Sequence, residues 1–580
     1  MSDSDADVGG DVEDHRDVED HGDVVDHGDG EDQVAGNVAS RLTTVANLMG
    51  AAVAIAEPSG PPAPAGELRD YDLTTFARLD QRSTAIARGL VDFGVRPGDR
   101  MVMLVPFGAE FITLVFALLK AGAVAVLIDP GIDRRHLIRC LSESEPVGFI
   151  GIPKAQAIRS ILRGRFPKAT KNVTVGRRWF WGGQTLLEIE AKGGESTTAL
   201  PIRRREDAAA VIFTTGSTGP PKGVLYTHGT FHAQIDRIRQ RYDIHRGSRD
   251  LACFPLFGLF DAVMGVTTII PDMDPTRPAD VDPRRLIEAA AQWEVDQAFG
   301  SPALWRTVVD WHRRHTTAGR PLGTIRRVLS AGAPVPAATL ATLREVVHED
   351  ADIHTPYGAT EALPIASIES REVLTHTGPA ADKGRGVCVG RRFPGVAWRV
   401  IEIDDGPIAS IDDVTERPRG KIGELIVRGP MVTRRYVVRA DQNAFHKIVD
   451  GDDVWHRMGD VGYLDDDDRF WFCGRKSHRV VGDGRTWYTI PCESVFNRHP
   501  AVRRCALIGR GDAPNQTPVI VAEIERSMPA DRESKILEEL RDLGGRNPLT
   551  RRITDIRLRR EPLPVDVRHN SKIFRERIVV

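Results

Sequence analysis

The segment Thr214-Thr-Gly-Ser-Thr-Gly-Pro-Pro-Lys-Gly-Val224 packs four hydroxyls, three glycines and one lysine into eleven residues. Glycines let the backbone approach an anion closely, while hydroxyls and backbone N–H groups donate to its oxygens. Lys222 adds a mobile positive charge. Such a loop suits a phosphate chain, held by Thr214, Thr215, Gly216, Ser217, Thr218, Gly219 and Lys222. It departs from the Walker A pattern, because Lys222 is followed by Gly223 rather than Ser or Thr.

Other chemistry-bearing groups follow in order. Ser330-Ala-Gly-Ala-Pro334 is a small-residue turn against which a flat base can pack. His354-Thr-Pro-Tyr-Gly-Ala-Thr-Glu361 sets a ring, a glycine, a hydroxyl and a carboxylate within five residues. That set suits a nucleotide with a metal ion: Tyr357 stacks, Thr360 bonds phosphate and Glu361 offers Mg²⁺ a hard oxygen. Thr and Glu also occur together at ordinary helix caps. Asp460, after Gly459, can accept from a ribose diol or serve as a structural loop residue. Arg475, after Gly474, can pair with ribose or phosphate. Lys572 lies eight residues from the C-terminus, where an isolated lysine reads as solvated surface.

These groups need a scaffold that brings them together. The chain has 580 residues, enough for two or more domains, with 41% hydrophobic and 27% charged residues, as in a soluble globular enzyme. The apolar run 208–213 reads as the strand that feeds the first loop, and residues 228–241 have helical character. Strands over 101–105 and 123–127 flank a helix over 110–121. That alternation predicts a mostly parallel sheet covered by helices. After Lys421 the strands read as shorter and more hairpin-like, and an α+β module begins near Ser477.

Charge and composition exclude several classes. The first 36 residues hold fourteen Asp or Glu and one Arg, a formal charge of −13, leaving +10 on the remainder against −3 overall. The tail repeats a hexad around His15, His21 and His27 and lacks aromatics, which predicts disorder. No basic run marks nucleic-acid binding. The six cysteines are scattered without a C-x-x-C pair, pointing to reduced thiols in a cytoplasmic protein. No signal-peptide pattern is present. Lys120 interrupts the most apolar stretch, 111–128, so no transmembrane helix is expected.

In this order the motifs resemble the adenylate-forming superfamily of acyl-CoA synthetases, adenylation domains and luciferases, over nearly everything but the acidic tail. Leu119-Lys-Ala-Gly-Ala123 with Asp129-Pro130, and Gly423-Glu424, fall in place with the groups above. Longer strings around Tyr357, Asp460, Arg475 and Lys572 look like the β-lactone synthetases of bacterial long-chain olefin biosynthesis. The resemblance implies an α/β fold: a large N-terminal adenylation domain (38–476), with mostly parallel sheets and a distorted β-barrel, and a small mobile α+β C-terminal domain (477–580). Residues 1–37 form the tail.

The resemblance also implies chemistry. ATP and Mg²⁺ activate a 3-hydroxy fatty acid as an acyl-adenylate. The phosphate loop holds the β- and γ-phosphates. Gly332, Ala333, Pro334 and Tyr357 flank the adenine beside Gly358. Thr360 touches the α-phosphate, Glu361 binds Mg²⁺, Asp460 takes the ribose with Arg475 nearby, and Lys572 bridges carboxylate and α-phosphate. The substrate's own hydroxyl then closes a β-lactone. A β-lactone decarboxylase and other olefin-pathway enzymes are the implied partners. Departures from the wider superfamily are Gly258 in place of a histidine, His478 in place of a hinge aspartate, and Ser571 in place of a glycine before the lysine. His354, His478 and His569 are candidate bases on chemistry alone. Phe254, Phe257 and Phe260 line an acyl tunnel or pack the core. An acyl-CoA or acyl-carrier-protein ligase, and a catalytically silent nucleotide-binding protein, are the rival readings.

Overall fold

The computed structural model describes residues 36–61, 64, 67–129, 132–214, 220–315, 319–566 and 573–580. Of the expectations above, the acidic hexads, Thr215, Gly216, Ser217, Thr218, Gly219, Pro130, His569, Ser571 and Lys572 lie outside these residues. Gly36 and Asn37, assigned to the tail, are tied to the body. The Gly36 carbonyl is 3.3 Å from His232 Nε2, and Asn37 Nδ2 donates to the Leu119 carbonyl at 2.8 Å.

The expected β-α-β unit is formed by strands Arg100–Leu104 and Val124–Leu127 around the helix Ala109–Lys120. The strands pair in parallel, Val102 opposite Val126, and Val124–Leu127 is buried throughout, as a strand covered on both faces requires. Lys120 sits inside because Asp80 Oδ1 accepts from its ammonium at 2.6 Å, with Ser83 Oγ and Thr84 Oγ1 at 2.8 and 2.9 Å. Burial still lowers its pKa, against the pull of Asp80. The apolar stretch 111–128 is therefore core. No helix among the described residues is long and apolar enough to cross a membrane.

These strands belong to an eight-stranded sheet that continues through Ala208–Phe213 to Gly223–Thr227 and Tyr436–Val438. The phosphate loop thus joins two antiparallel strands, with Phe213 opposite Gly223. The helix His228–Arg241 follows one strand later than the sequence suggested. Residues 223–227 are short and largely buried, and a strand this brief leaves little periodicity to read.

A second sheet has fourteen strands. Its parallel part includes Arg249–Ala252, Gln297–Gly300, Arg327–Ser330 and Asp352–Ala359. At Asp352–Ala359 pairing turns antiparallel, to Ala362–Glu369 and on through Val387–Arg392, Arg469–Arg475, Asp453–Leu464, Gly423–Arg428 and Ala397–Ile401. Residues 462–464, read as a short strand, end the twelve-residue strand Asp453–Leu464. Asp460 therefore lies on a strand, not in a loop. Gly459 at φ 66° and a register shift at Val461/Gly462 break the alternation that would have revealed it.

The C-terminal domain has its own three-stranded sheet, Val502–Arg510, Thr517–Ile524 and Asp555–Arg559, packed on helices Thr489–Asn497 and Glu533–Arg546. Phe496, Leu507, Ile520 and Leu540 form its separate core. The molecule is of the α/β class, with a large mixed sheet, covering helices and a separate C-terminal domain.

Candidate active site

The hairpin between Asp352–Ala359 and Ala362–Glu369 carries Thr360 and Glu361 at its tip, where the large sheet changes from parallel to antiparallel. Gly358 precedes them because a side chain there would meet the Ala362 carbonyl at 2.6 Å. The tip is held from three directions. Tyr226 Oη donates to the Thr360 carbonyl. Thr433 donates to the Glu361 carbonyl through N and Oγ1, both at 2.9 Å. Tyr436 Oη donates to Glu361 Oε1 at 2.7 Å. Burial, reinforced by the Glu361 charge, pushes the Tyr436 phenol above its ordinary pKa, so it remains a donor.

Tyr357 and Asp460 meet across the same cavity. Tyr357 Oη donates to Asp460 Oδ2 at 2.5 Å, and Arg475 pairs with Asp460 Oδ1 at 2.8 Å. Asp460 and Arg475 are directly opposed on neighbouring strands, and Arg475 also donates to the Met458 carbonyl at 3.1 Å. Asp460 raises the arginine's pKa, which keeps the pair ionised. Burial first, and then Asp460, drive the Tyr357 phenol well above its usual range.

The phosphate loop is closed at its neck: Thr214 N donates to the Lys222 carbonyl at 3.0 Å and Lys222 N to Thr214 Oγ1 at 3.1 Å. Lys222 Nζ lies 5.1 Å from the Tyr436 ring centre and 3.0 Å from His446 Nε2. Burial lowers the Lys222 pKa, and Arg475 and Arg439 repel its charge while Glu361 attracts it. An anionic polyphosphate beside these cations would relieve that repulsion, so the donor set fits ATP. Glu361 fits Mg²⁺ in the same way: one carboxylate on the wall leaves phosphate oxygens and water to complete the shell. Among the described residues no cluster of three or more His, Cys, Asp or Glu is placed to hold a metal alone.

Thr214, Lys222, Tyr357, Thr360, Glu361, His446, Asp460 and Arg475 line one cavity of about 3290 Å³, with Gly332, Ala333 and Pro334 on a neighbouring stretch of wall and Thr433 and Tyr436 behind it. Phe254, Phe257 and Phe260 line it too, and they are packed: the Phe257 and Phe299 rings stack at 4.5 Å, and Phe254 lies 5.2 Å from Phe299. The cluster thus lines the cavity and packs against the strand that carries Phe299. His478 is on the wall, 3.4 Å from Arg575. His354 is not, and is corrected as a candidate base. Its ring packs 4.9 Å from Tyr242, and burial drops its pKa to about 4.

The sequence did not reveal Tyr436, His446, Lys447 or His456. Lys447 donates to the Thr433 carbonyl and so supports the group that holds Glu361; burial brings its pKa down to about 7. His456 Nδ1 donates to the His446 carbonyl at 3.1 Å. The pairing of Tyr436–Val438 with Gly223–Thr227 brings this segment behind the phosphate loop. None of the four stands in a recognisable spacing.

Residues 52–437 match the protein family described as AMP-binding enzyme. The chain is 45% identical over 550 residues to an olefin β-lactone synthetase of Xanthomonas campestris pv. campestris, covering 94% of this chain and 97% of that one. It is 44% identical, with the same coverage, to one from Stenotrophomonas maltophilia. A feruloyl-CoA synthase of Amycolatopsis sp is 28% identical over 76% of this chain and 81% of its own. Among solved structures, ATP-bound MatB from Rhodopseudomonas palustris shares the fold at a TM-score of 0.73 and 21% identity, covering 93% of this chain and 97% of that one.

Proposed function

The chain belongs to the family of AMP-binding enzymes and is an ATP-dependent, AMP-forming ligase, and from that premise we propose that it converts a 3-hydroxy fatty acid, branched at C2, into a β-lactone. The observation that carries this reading is the near full-length likeness, at 45% identity, to an olefin β-lactone synthetase.

In the first step a carboxylate oxygen of the acid attacks the α-phosphorus of ATP, and pyrophosphate leaves. Thr214 to Gly219 and Lys222 hold the β- and γ-phosphates. Gly332, Ala333, Pro334, Tyr357 and Gly358 form the adenine site. Asp460, oriented by Tyr357 and Arg475, accepts from the ribose hydroxyls. Thr360 donates to the α-phosphate. Mg²⁺, held by Glu361, neutralises phosphate charge when bound. Lys572 stands between the two anions that must meet and offsets a repulsion greatest as the bond forms.

In the second step the 3-hydroxyl oxygen attacks the acyl carbon, the bond to AMP breaks, and the hydroxyl proton passes to the departing phosphate. Attack within one molecule avoids the translational cost of a second substrate, worth about 7–11 kcal/mol for well-oriented groups. Ring strain reduces that gain. The packed phenylalanine wall around Phe257 keeps water from the adenylate.

Incubation with ATP, Mg²⁺ and a 3-hydroxy acid, with and without CoA, tests the reading by product mass. A lactone, the acid less one water, is expected in both. A thioester formed only with CoA would leave adenylation standing and remove the lactone step.

A further inference from the structure

Large apolar side chains are seldom left in water, and where several gather they mark a contact surface. Of the thirteen such exposed side chains among the described residues, Ile158, Ile161, Trp179 and Phe180 fall within one stretch of twenty-three positions. They come from the helix Pro153–Ile161 and the loop 175–183, near the Gln184–Thr185 edge of the eight-stranded sheet. Trp179 is 63% exposed and Phe180 78%.

The loop is fixed in this pose. Trp181 Nε1 donates to Thr174 Oγ1 at 3.0 Å, and Arg159 of the helix donates to the Trp181 carbonyl at 3.1 Å. The Trp179 and Trp181 rings lie parallel, 6.3 Å apart.

Charge surrounds the apolar groups. Lys154, Arg163, Arg165 and Arg177 are exposed and have no acidic partner within ion-pair reach among the described residues. Two nearby acids are already engaged, Glu188 with Arg178 at 3.1 Å and Glu145 with Lys168 at 3.2 Å. A symmetric pairing of two copies through this face would set the four cations against themselves. An anionic headgroup layer complements them, and tryptophan rings settle at such an interface.

The face also adjoins the active-site cavity. Ile158 is exposed on one side and lines the cavity on the other, beside Ala155 and Leu162. We propose that this face docks on an anionic phospholipid surface, so that an apolar acid passes from the lipid into the cavity along the helix Pro153–Ile161.

Flotation of the full-length chain with phosphatidylcholine vesicles, with and without phosphatidylglycerol, tests this. Binding is expected to the phosphatidylglycerol vesicles, weakening as salt is raised. The double variant Trp179→Ala/Phe180→Ala should bind at least ~10-fold less, with unchanged circular dichroism and denaturation midpoint. Arg163→Gln/Arg165→Gln/Arg177→Gln should lose the dependence on anionic lipid. The proposal is overturned if the unmodified chain ignores anionic vesicles, or if the aromatic double variant binds as well as it does. A stable dimer or protein complex that the same double variant dissolves, without vesicle binding, also overturns it. None of these readouts requires lactone formation, so failure here and failure of the catalytic reading are separately visible.

Discussion

Asp460 is the acceptor on which Tyr357 and Arg475 converge in the cavity. Its two oxygens are taken up by Tyr357 Oη at 2.5 Å and Arg475 at 2.8 Å, which fixes the plane of the carboxylate proposed above to take the ribose. Hydrogen bonds to a charged group are worth about 1.5–3 kcal/mol, so Asp460→Ala should raise KM for ATP by roughly 10-fold or more, with a smaller change in kcat. Tyr357→Phe keeps the ring and loses the clamp, and should raise KM a few-fold. ATP–pyrophosphate exchange measures both; an unchanged KM in Asp460→Ala removes the ribose assignment. That Tyr357, Thr360, Glu361, Asp460 and Arg475 belong together was legible because each stands in a short string of chemistry-bearing residues, and the fold brings all five to one cavity. Tyr436, His446 and Lys447 were not. Their value comes from contacts with Glu361, Lys222 and Thr433, and the Lys222–His446 contact spans 224 positions, which only strand pairing creates.

At the scale of elements, the helix Pro255–Met264 carries the phenylalanine wall and is tied to the sheet by a buried acid. Asp261 on the helix faces Asp250 on the strand Arg249–Ala252, and Thr268 Oγ1 donates to Asp261 Oδ2 at 3.3 Å. Both carboxyls are fully buried, and a side-chain hydrogen bond between them, which needs one of the two protonated, links helix and strand. Burial pushes the Asp250 pKa from 3.8 up to about 7, and raises that of Asp261 well above the usual carboxylate range. The unfolded chain gives up the Asp250 proton near 3.8 while the folded chain keeps it to about 7. Across that window the folded state binds the extra proton, so stability is greatest below it and falls as pH rises. Asp250→Asn should flatten this fall, checked by urea titrations between about pH 4 and pH 7. Parallel curves for the two chains would reject the shared proton. Nothing in the sequence pointed to this pair, because two aspartates eleven positions apart become neighbours only when helix and sheet pack. Gly258 was flagged as a departure; the fold adds that a side chain there would meet Phe107 and Thr268 at 3.2 Å.

At the scale of the whole molecule, the two domains meet beside the cavity. Glu424, fully buried, pairs with Arg457 at 2.6 Å and with Lys476 at 3.0 Å, anchoring the turn Lys476–His478 that leads into the C-terminal domain. Beyond it Arg479 reaches back to Asp405 at 2.5 Å. The sequence marked this junction through Gly474-Arg475, since the motif ends the last strand of the large sheet. How the C-terminal domain addresses the cavity was not legible, because that depends on packing between domains. The fold supplies it at the far end of the chain. Val565 and Ile573 bridge as antiparallel partners, and both line the cavity with Asp566 and Phe574. The role proposed for Lys572, which lies outside the described residues, is that of a cation between carboxylate and α-phosphate. A cation delivered there matters most when carboxylate and α-phosphate meet, and least when ATP alone is bound. Lys572→Ala should therefore lower acid-dependent pyrophosphate exchange by roughly 100-fold or more while ATP affinity, read by calorimetry, moves only a few-fold. Equal losses in exchange and ATP affinity would make Lys572 an ATP-binding residue, and unchanged exchange would remove it from the reaction.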